Sequence, residues 1–324
     1  MRVNIARPVV VAVSLCAVFL CFCIVFVGSK NPPVDRRVSN LSLSASGRWL
    51  AAGTAQGKIT VWDQTRPEAP QQITFPYGSL NDLHFSPHED VLAIAAEDLG
   101  IYTLAAPAAP KLLRSDHANY GSVRFSLNGQ DLLVITGNGV IQTIDGHSGA
   151  MRLKVCCSSI YGDVVFTPDG LEIAGAGHWP SLWDARSGGL IATLTADREF
   201  YAFRPIVFDA SRTAILLGSQ DGRVYAWDLK TKQRIALSPP RPAYVDTIAV
   251  STNGWVIFAG FGSDIQLWNP DTGQRRSLPP ARPTSNLVFG SDGTSIIFGT
   301  ADGTIETWDI GTEQRLRSMR IPGL

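Results

Sequence analysis

Neither sign of charge is in excess in this chain. Lysine plus arginine and aspartate plus glutamate number 28 each among 324 residues, so no global basic field gathers nucleic acid, and none is expected as a partner. Cysteine is scarce: Cys16, Cys21 and Cys23 sit in one apolar run, and beyond it there are only Cys156 and Cys157. Neighbouring residues on a strand point to opposite faces, which disfavours a disulfide between that pair, so no disulfide framework is expected. The five histidines, His84, His88, His117, His147 and His178, fall at unlike positions. None belongs to an H-E-x-x-H motif or a Cys/His set with ligand spacing, so neither a metal nor a cofactor is expected. A G-x-x-x-x-G-K-[ST] loop and a helix-opening G-x-G-x-x-G are missing, which leaves no phosphate cradle. Helical periodicity is missing after residue 30, which excludes a solenoid of helices.

What is present divides in two. Val9 to Gly28 reads VVVAVSLCAVFLCFCIVFVG, a charge-free run long enough to cross a bilayer as one transmembrane helix. A cleaved signal peptide, with Val27 and Ser29 near the cut, and a buried helix are the alternatives. Residues 1–30 are therefore expected to form a membrane anchor and 31–37, with Asn31-Pro32-Pro33, a short stiff linker. Arg2 and Arg7 precede the run and Lys30, Arg36 and Arg37 follow it, so positive charge gives almost no orientation. The large domain that follows favours an extracytoplasmic placement, as in a signal anchor. The chain as a whole is 45% apolar and 17% charged, with 30 glycines and 20 prolines, the composition of many short strands joined by tight turns.

From residue 38 to 324 one unit repeats seven times. Each copy opens with two apolar residues at i and i+2: Leu41/Leu43, Leu83/Phe85, Val123/Phe125, Val164/Phe166, Ile206/Phe208, Ile248/Val250 and Leu287/Phe289. That spacing marks a strand with one buried face. A polar turn follows each pair, and five of the turns (SASGR, SLNGQ, TPDGL, STNGW and GSDGT) carry a glycine where a hairpin needs positive φ. A later strand ends in a shared cadence, as in ITVWD (59–63), SLWD (181–184), VYAWD (224–228), IQLWN (265–269) and IETWD (305–309). The ring at its end buries a large area between sheets, and the following Asp or Asn caps the turn. A more polar fourth strand closes the unit. Four short strands about every 41 residues predict an all-β fold, a seven-bladed β-propeller of four-stranded antiparallel blades, with no outer strand borrowed from the N-terminus.

The turn x-F-S-x-x-G followed by D-G-x-[IV]-x-x-W-D resembles the WD40 repeat, most closely in Phe289–Asp309 and Phe208–Asp228. The resemblance implies a propeller used as a protein-binding surface. It is imperfect: no histidine forms the family's Gly-His pair at the outer strand, and the units with Tyr102 and Ile144 lack the tryptophan. The blades should lean on packing more than on a polar network.

Chemistry has few carriers. Asp145, His147 and Ser148 supply triad residue types but read as a tight turn, and each acidic turn residue that precedes a glycine is explained by that turn. The expected function is a non-catalytic interaction scaffold at a membrane surface, with one or more protein partners. The alternative is an extracytoplasmic enzyme or small-ligand propeller using carboxylates in the central channel. Loops between blades and those between the second and third strands emerge on one face. There Arg204, Arg241 and Arg282 each precede a proline, Tyr120, Tyr161, Tyr201 and Tyr244 occupy blade entries, and Trp179 sits in the GHWP hairpin. Arginine beside aromatics is favoured at protein contacts, so these eight residues form the expected contact surface. The competing role for the tyrosines is to plug gaps between blades.

Overall fold

The computed structural model describes residues 36–105, 109–155, 160–177, 179–194, 202–240, 243–260, 262–278 and 283–323, the side chains at 160–161, 202–204 and 236–237 excepted. The expected transmembrane run and the Cys156-Cys157 pair lie outside them. Among the described residues no helix is long and apolar enough to cross a membrane. Asp35–Leu324 is one compact unit.

The described residues form seven four-stranded antiparallel sheets, each contiguous in sequence. Blades 1 to 7 begin with the inner strands Val38–Leu43, Asp82–Phe85, Tyr120–Phe125, Ile160–Phe166, Ala202–Phe208, Thr247–Val250 and Val288–Phe289. The five turn glycines expected at positive φ take it: Gly47, Gly129, Gly170, Gly254 and Gly293, at 66–84°. The residue after the anchor ring caps its turn as expected. Asp184 Oδ1 accepts the backbone N–H groups of Arg186 and Ser187 at 3.1 and 2.7 Å, and Asn269 and Asp309 do the same in blades 6 and 7.

Apolar side chains of neighbouring blades interlock. Trp49, Val61, Leu83 and Leu92 share one core across blades 1 and 2, and Trp62, Leu41, Ile297 and Ile321 share another across blades 1 and 7. Among the described residues no strand is exchanged where the ring closes; the seam is held chiefly by side chains, with one long backbone contact from Val38 N–H to the Thr300 carbonyl at 3.4 Å. Asn286 Oδ1 accepts the N–H of Leu41 and its Nδ2 donates to the carbonyl of the same residue, both at 2.7 Å. Thr284 Oγ1 donates to the carbonyl of Val38 at 2.9 Å, and Lys58 Nζ to that of Pro322 at 2.8 Å.

Candidate functional site

Around the axis the inner strands of adjacent blades are bridged by side chains. The N–H of Phe85 donates to Ser42 Oγ at 3.1 Å, that of Val123 to Asp82 Oδ2 at 3.0 Å, and that of Leu287 to Thr247 Oγ1 at 2.8 Å. Arg124 of blade 3 spans three blades, pairing through Nη1 with Asp82 of blade 2 and through Nη2 with Asp163 of blade 4, the latter at 3.1 Å. Burial opposes its charge, but the two carboxylates outweigh that and hold the guanidinium above its ordinary pKa. Beside it His84 accepts the N–H of Phe125 on Nδ1 at 3.2 Å. Burial first, and then the charge of Arg124, pushes the imidazole down to about 3, so the ring is neutral.

Asp82, His84 and Arg124 line a cavity of about 430 Å³ together with Ser42, Asn286 and apolar residues such as Val207, Ala249 and Val288. Asp82 is the one carboxylate among the residues lining this cavity, and it is engaged by Arg124, whereas the small-ligand alternative requires converging carboxylates. A sequence signal existed for this cluster. His84 and Arg124 interrupt apolar pairs at the positions facing away from the blade core, but their meeting depends on contacts 39–42 residues apart.

The expected contact residues divide. Trp179, 37% exposed, occupies the hairpin between the middle strands of blade 4, and Tyr244, 53% exposed, stands in the entry to blade 6. Both lie on the face formed by interblade loops and these hairpins. Tyr77, in the entry to blade 2, joins them at 36% exposure, edge-on to Phe75 at 5.0 Å. The sequence reading passed over it, although Pro76-Tyr77 before an inner strand was a visible cue.

Tyr120 requires a correction. It is buried, and its hydroxyl donates to Asp116 Oδ1 at 2.8 Å while accepting from Arg114 Nε at 2.9 Å. It fills the space between blades rather than facing a partner. Arg204 belongs to the inner strand of blade 5 and not to the loop before it, and Tyr161 belongs to that of blade 4. Tyr201, Arg241 and Arg282 lie outside the described residues.

Asp145, His147 and Ser148 form the turn, not a triad. Asp145 Oδ1 accepts the N–H of His147 at 3.1 Å and both the N–H and hydroxyl of Ser148 at 2.8 Å. Hydrogen bonds from the Ser148 backbone and hydroxyl hold this carboxyl well below its usual range. Among the described residues no group of three or more His, Cys, Asp or Glu is placed to hold a metal ion.

Residues 25–63 match the family model "WD domain, G-beta repeat". That match takes in the first three strands of blade 1, and its Trp-Asp ending recurs in the register of blades 4, 5 and 7. The architecture is that of a seven-bladed, WD40-like β-propeller. Among curated relatives, the chain is 27% identical over 212 residues to "Periodic tryptophan protein 2 homolog" of Caenorhabditis elegans, covering 62% of this chain and 23% of that one. It is 23% identical over 311 residues to "WD repeat-containing protein 1" of Xenopus tropicalis, covering 82% and 47%. A third relative, "Guanine nucleotide-binding protein subunit beta" of Arabidopsis thaliana, is 22% identical over 320 residues, covering 86% and 82%. The chain thus spans about a quarter and about half the length of the first two. The polar Asp82–Arg124–Asp163 bridge supplies interblade ties that packing alone would otherwise provide.

Proposed function

We propose that this WD40 propeller is a non-catalytic protein-interaction scaffold displayed at a membrane surface, anchored by residues 9–28 with the propeller on the extracytoplasmic side. The carrying observation is the set of large aromatic side chains exposed on one loop face: Tyr77, Trp179 and Tyr244. Rigid rings that are half apolar and half polar give contact area at low entropic cost. The inner strands support the same reading, because Asp82, Arg124 and Asp163 are spent on holding blades together. One relative is, by its name, a subunit of a larger assembly. The charge-free run Val9 to Gly28 supports the tether.

Proximity labelling from the full chain in its membrane tests this. The parent protein should mark a discrete set of neighbours that the double substitution Trp179→Ala/Tyr244→Ala loses, with thermal unfolding nearly unchanged. An unaltered set in the variant, or no enriched neighbour with the parent, sinks the loop-face reading. Neighbours confined to cytoplasmic proteins reverse the proposed orientation.

A further inference from the structure

Blades 5 and 6 part on the face opposite those aromatic side chains, beside the turns that follow their inner strands, and leave a groove of about 700 Å³. Ala214, Leu216 and Ala226 of blade 5 and Val256 and Trp268 of blade 6 form its buried floor, the last four packed in one core, and Ile235, 58% exposed, stands at its outer end. Strand register aligns these positions with those of other blades. Ala214 pairs with Asp228 as Trp49 pairs with Asp63 in blade 1, and Ala226 sits opposite Leu216 as Val61 sits opposite Ala51. Trp255 and Leu267 hold the corresponding positions in blade 6. Trp49 and Val61 fill the seam between blades 1 and 2, and Trp255 and Leu267 that between blades 6 and 7. Blade 5 thus carries two alanines where blades 1 and 6 carry a tryptophan and a branched aliphatic residue.

The rim is anionic. Asp209 and Asp271 line it with Ser211, Thr252 and Asn253, and among the described residues the lining holds no lysine, arginine or histidine. Asp209 Oδ1 accepts the N–H groups of Thr213 and Ala214 at 2.8 and 2.7 Å, which fixes that charge in place. The volume falls within the range of about 300–1,000 Å³ that suits a small ligand or a few side chains, too small for a globular surface. An apolar floor under two carboxylates complements an apolar segment carrying positive charge.

We propose that this groove receives a linear peptide segment of a partner protein, with an aliphatic side chain lying against Ile235 over the apolar floor and an adjacent Lys or Arg lying against Asp271 and Asp209. The proposal rests on the protein-binding reading and adds a second face to it. Panning a phage-displayed random dodecapeptide library on the immobilised full chain tests it. Enriched peptides should carry an aliphatic residue within two positions of a Lys or Arg. Synthesised and titrated, they should bind at least ten-fold more weakly to Asp271→Lys, whose change is exposed and outside the core, and to Ala214→Trp. The latter fills the groove with the side chain already used at Trp49 and Trp255, and should keep or raise the unfolding midpoint. Enriched peptides without a cation, equal binding by both variants, or no enrichment would overturn the groove. The loop-face reading then still stands or falls by its own labelling experiment.

Discussion

Arg212 holds a backbone conformation that five of its counterparts leave to glycine. In the turn after the inner strand of blade 5 its φ is 60°, where Gly47, Gly129, Gly170, Gly254 and Gly293 serve other blades. Glu313, at 57°, replaces Gly149, Gly188 and Gly273 in the turn between the two outer strands of blade 7. The left-handed region costs a residue with a side chain about 1–2 kcal/mol, and the greater chain entropy of unfolded glycine takes back about 0.5–1 kcal/mol. Arg212→Gly and Glu313→Gly should therefore each stabilise the propeller by about 0.5–1 kcal/mol, read from chemical denaturation midpoints. These positions were legible as turns, since their polar residues and spacing repeat. Their handedness was not, because it comes from the hairpin geometry and not from the residue itself.

At the scale of the strand, side chains do the work that backbone pairing does within a blade. The Asp82–Arg124–Asp163 bridge links the inner strands of blades 2, 3 and 4, with these side chains between 14% and 23% accessible from the channel. Removing the cation leaves two carboxylates facing each other, a loss of about 3–5 kcal/mol for a fully buried pair. Channel access lowers the expected cost of Arg124→Met to about 2–3 kcal/mol. Adding Asp82→Asn and Asp163→Asn should restore most of it, measured as a thermodynamic cycle of unfolding free energies; no restoration would assign the loss to packing. The strands themselves were plain in the sequence because each hairpin is specified locally. Arg124 and Asp163 were missed because their partners lie about one blade away, a relation that residue spacing alone does not carry. Tyr120 misled for the same reason. It looks like Tyr244 in sequence, but Arg114 and Asp116 just upstream draw its hydroxyl inward.

For the whole ring, everything depends on the meeting of blades 1 and 7. Asn286 satisfies both backbone groups of Leu41, and Gly299 lets the blades approach, since a Cβ there would stand 2.3 Å from Cβ of Val38. Asn286→Ala strands two polar groups and should cost about 2–3 kcal/mol. Gly299→Ala should open the same seam by overlap. In both variants amide exchange should quicken first in Val38–Leu43 and Ser295–Gly299, whereas uniform quickening across all blades would show that closure is not the weak point. The seven-fold count was readable because each blade is contiguous. How the ring was sealed was not, because the sealing residues lie 245 apart.

That contiguity also sets a clock. Blade 1 is complete when the ribosome has passed Thr74, but the residues that cover its Leu41, Leu50 and Trp62, among them Ile297, Ile305 and Ile321, are made only with blade 7. At about 5–20 residues per second, extending the chain from blade 1 to blade 7 takes on the order of 10–50 s. Throughout that interval the first blade carries an apolar flank with its partner still unsynthesised, so the newborn chain is most exposed to misassembly at its oldest blade.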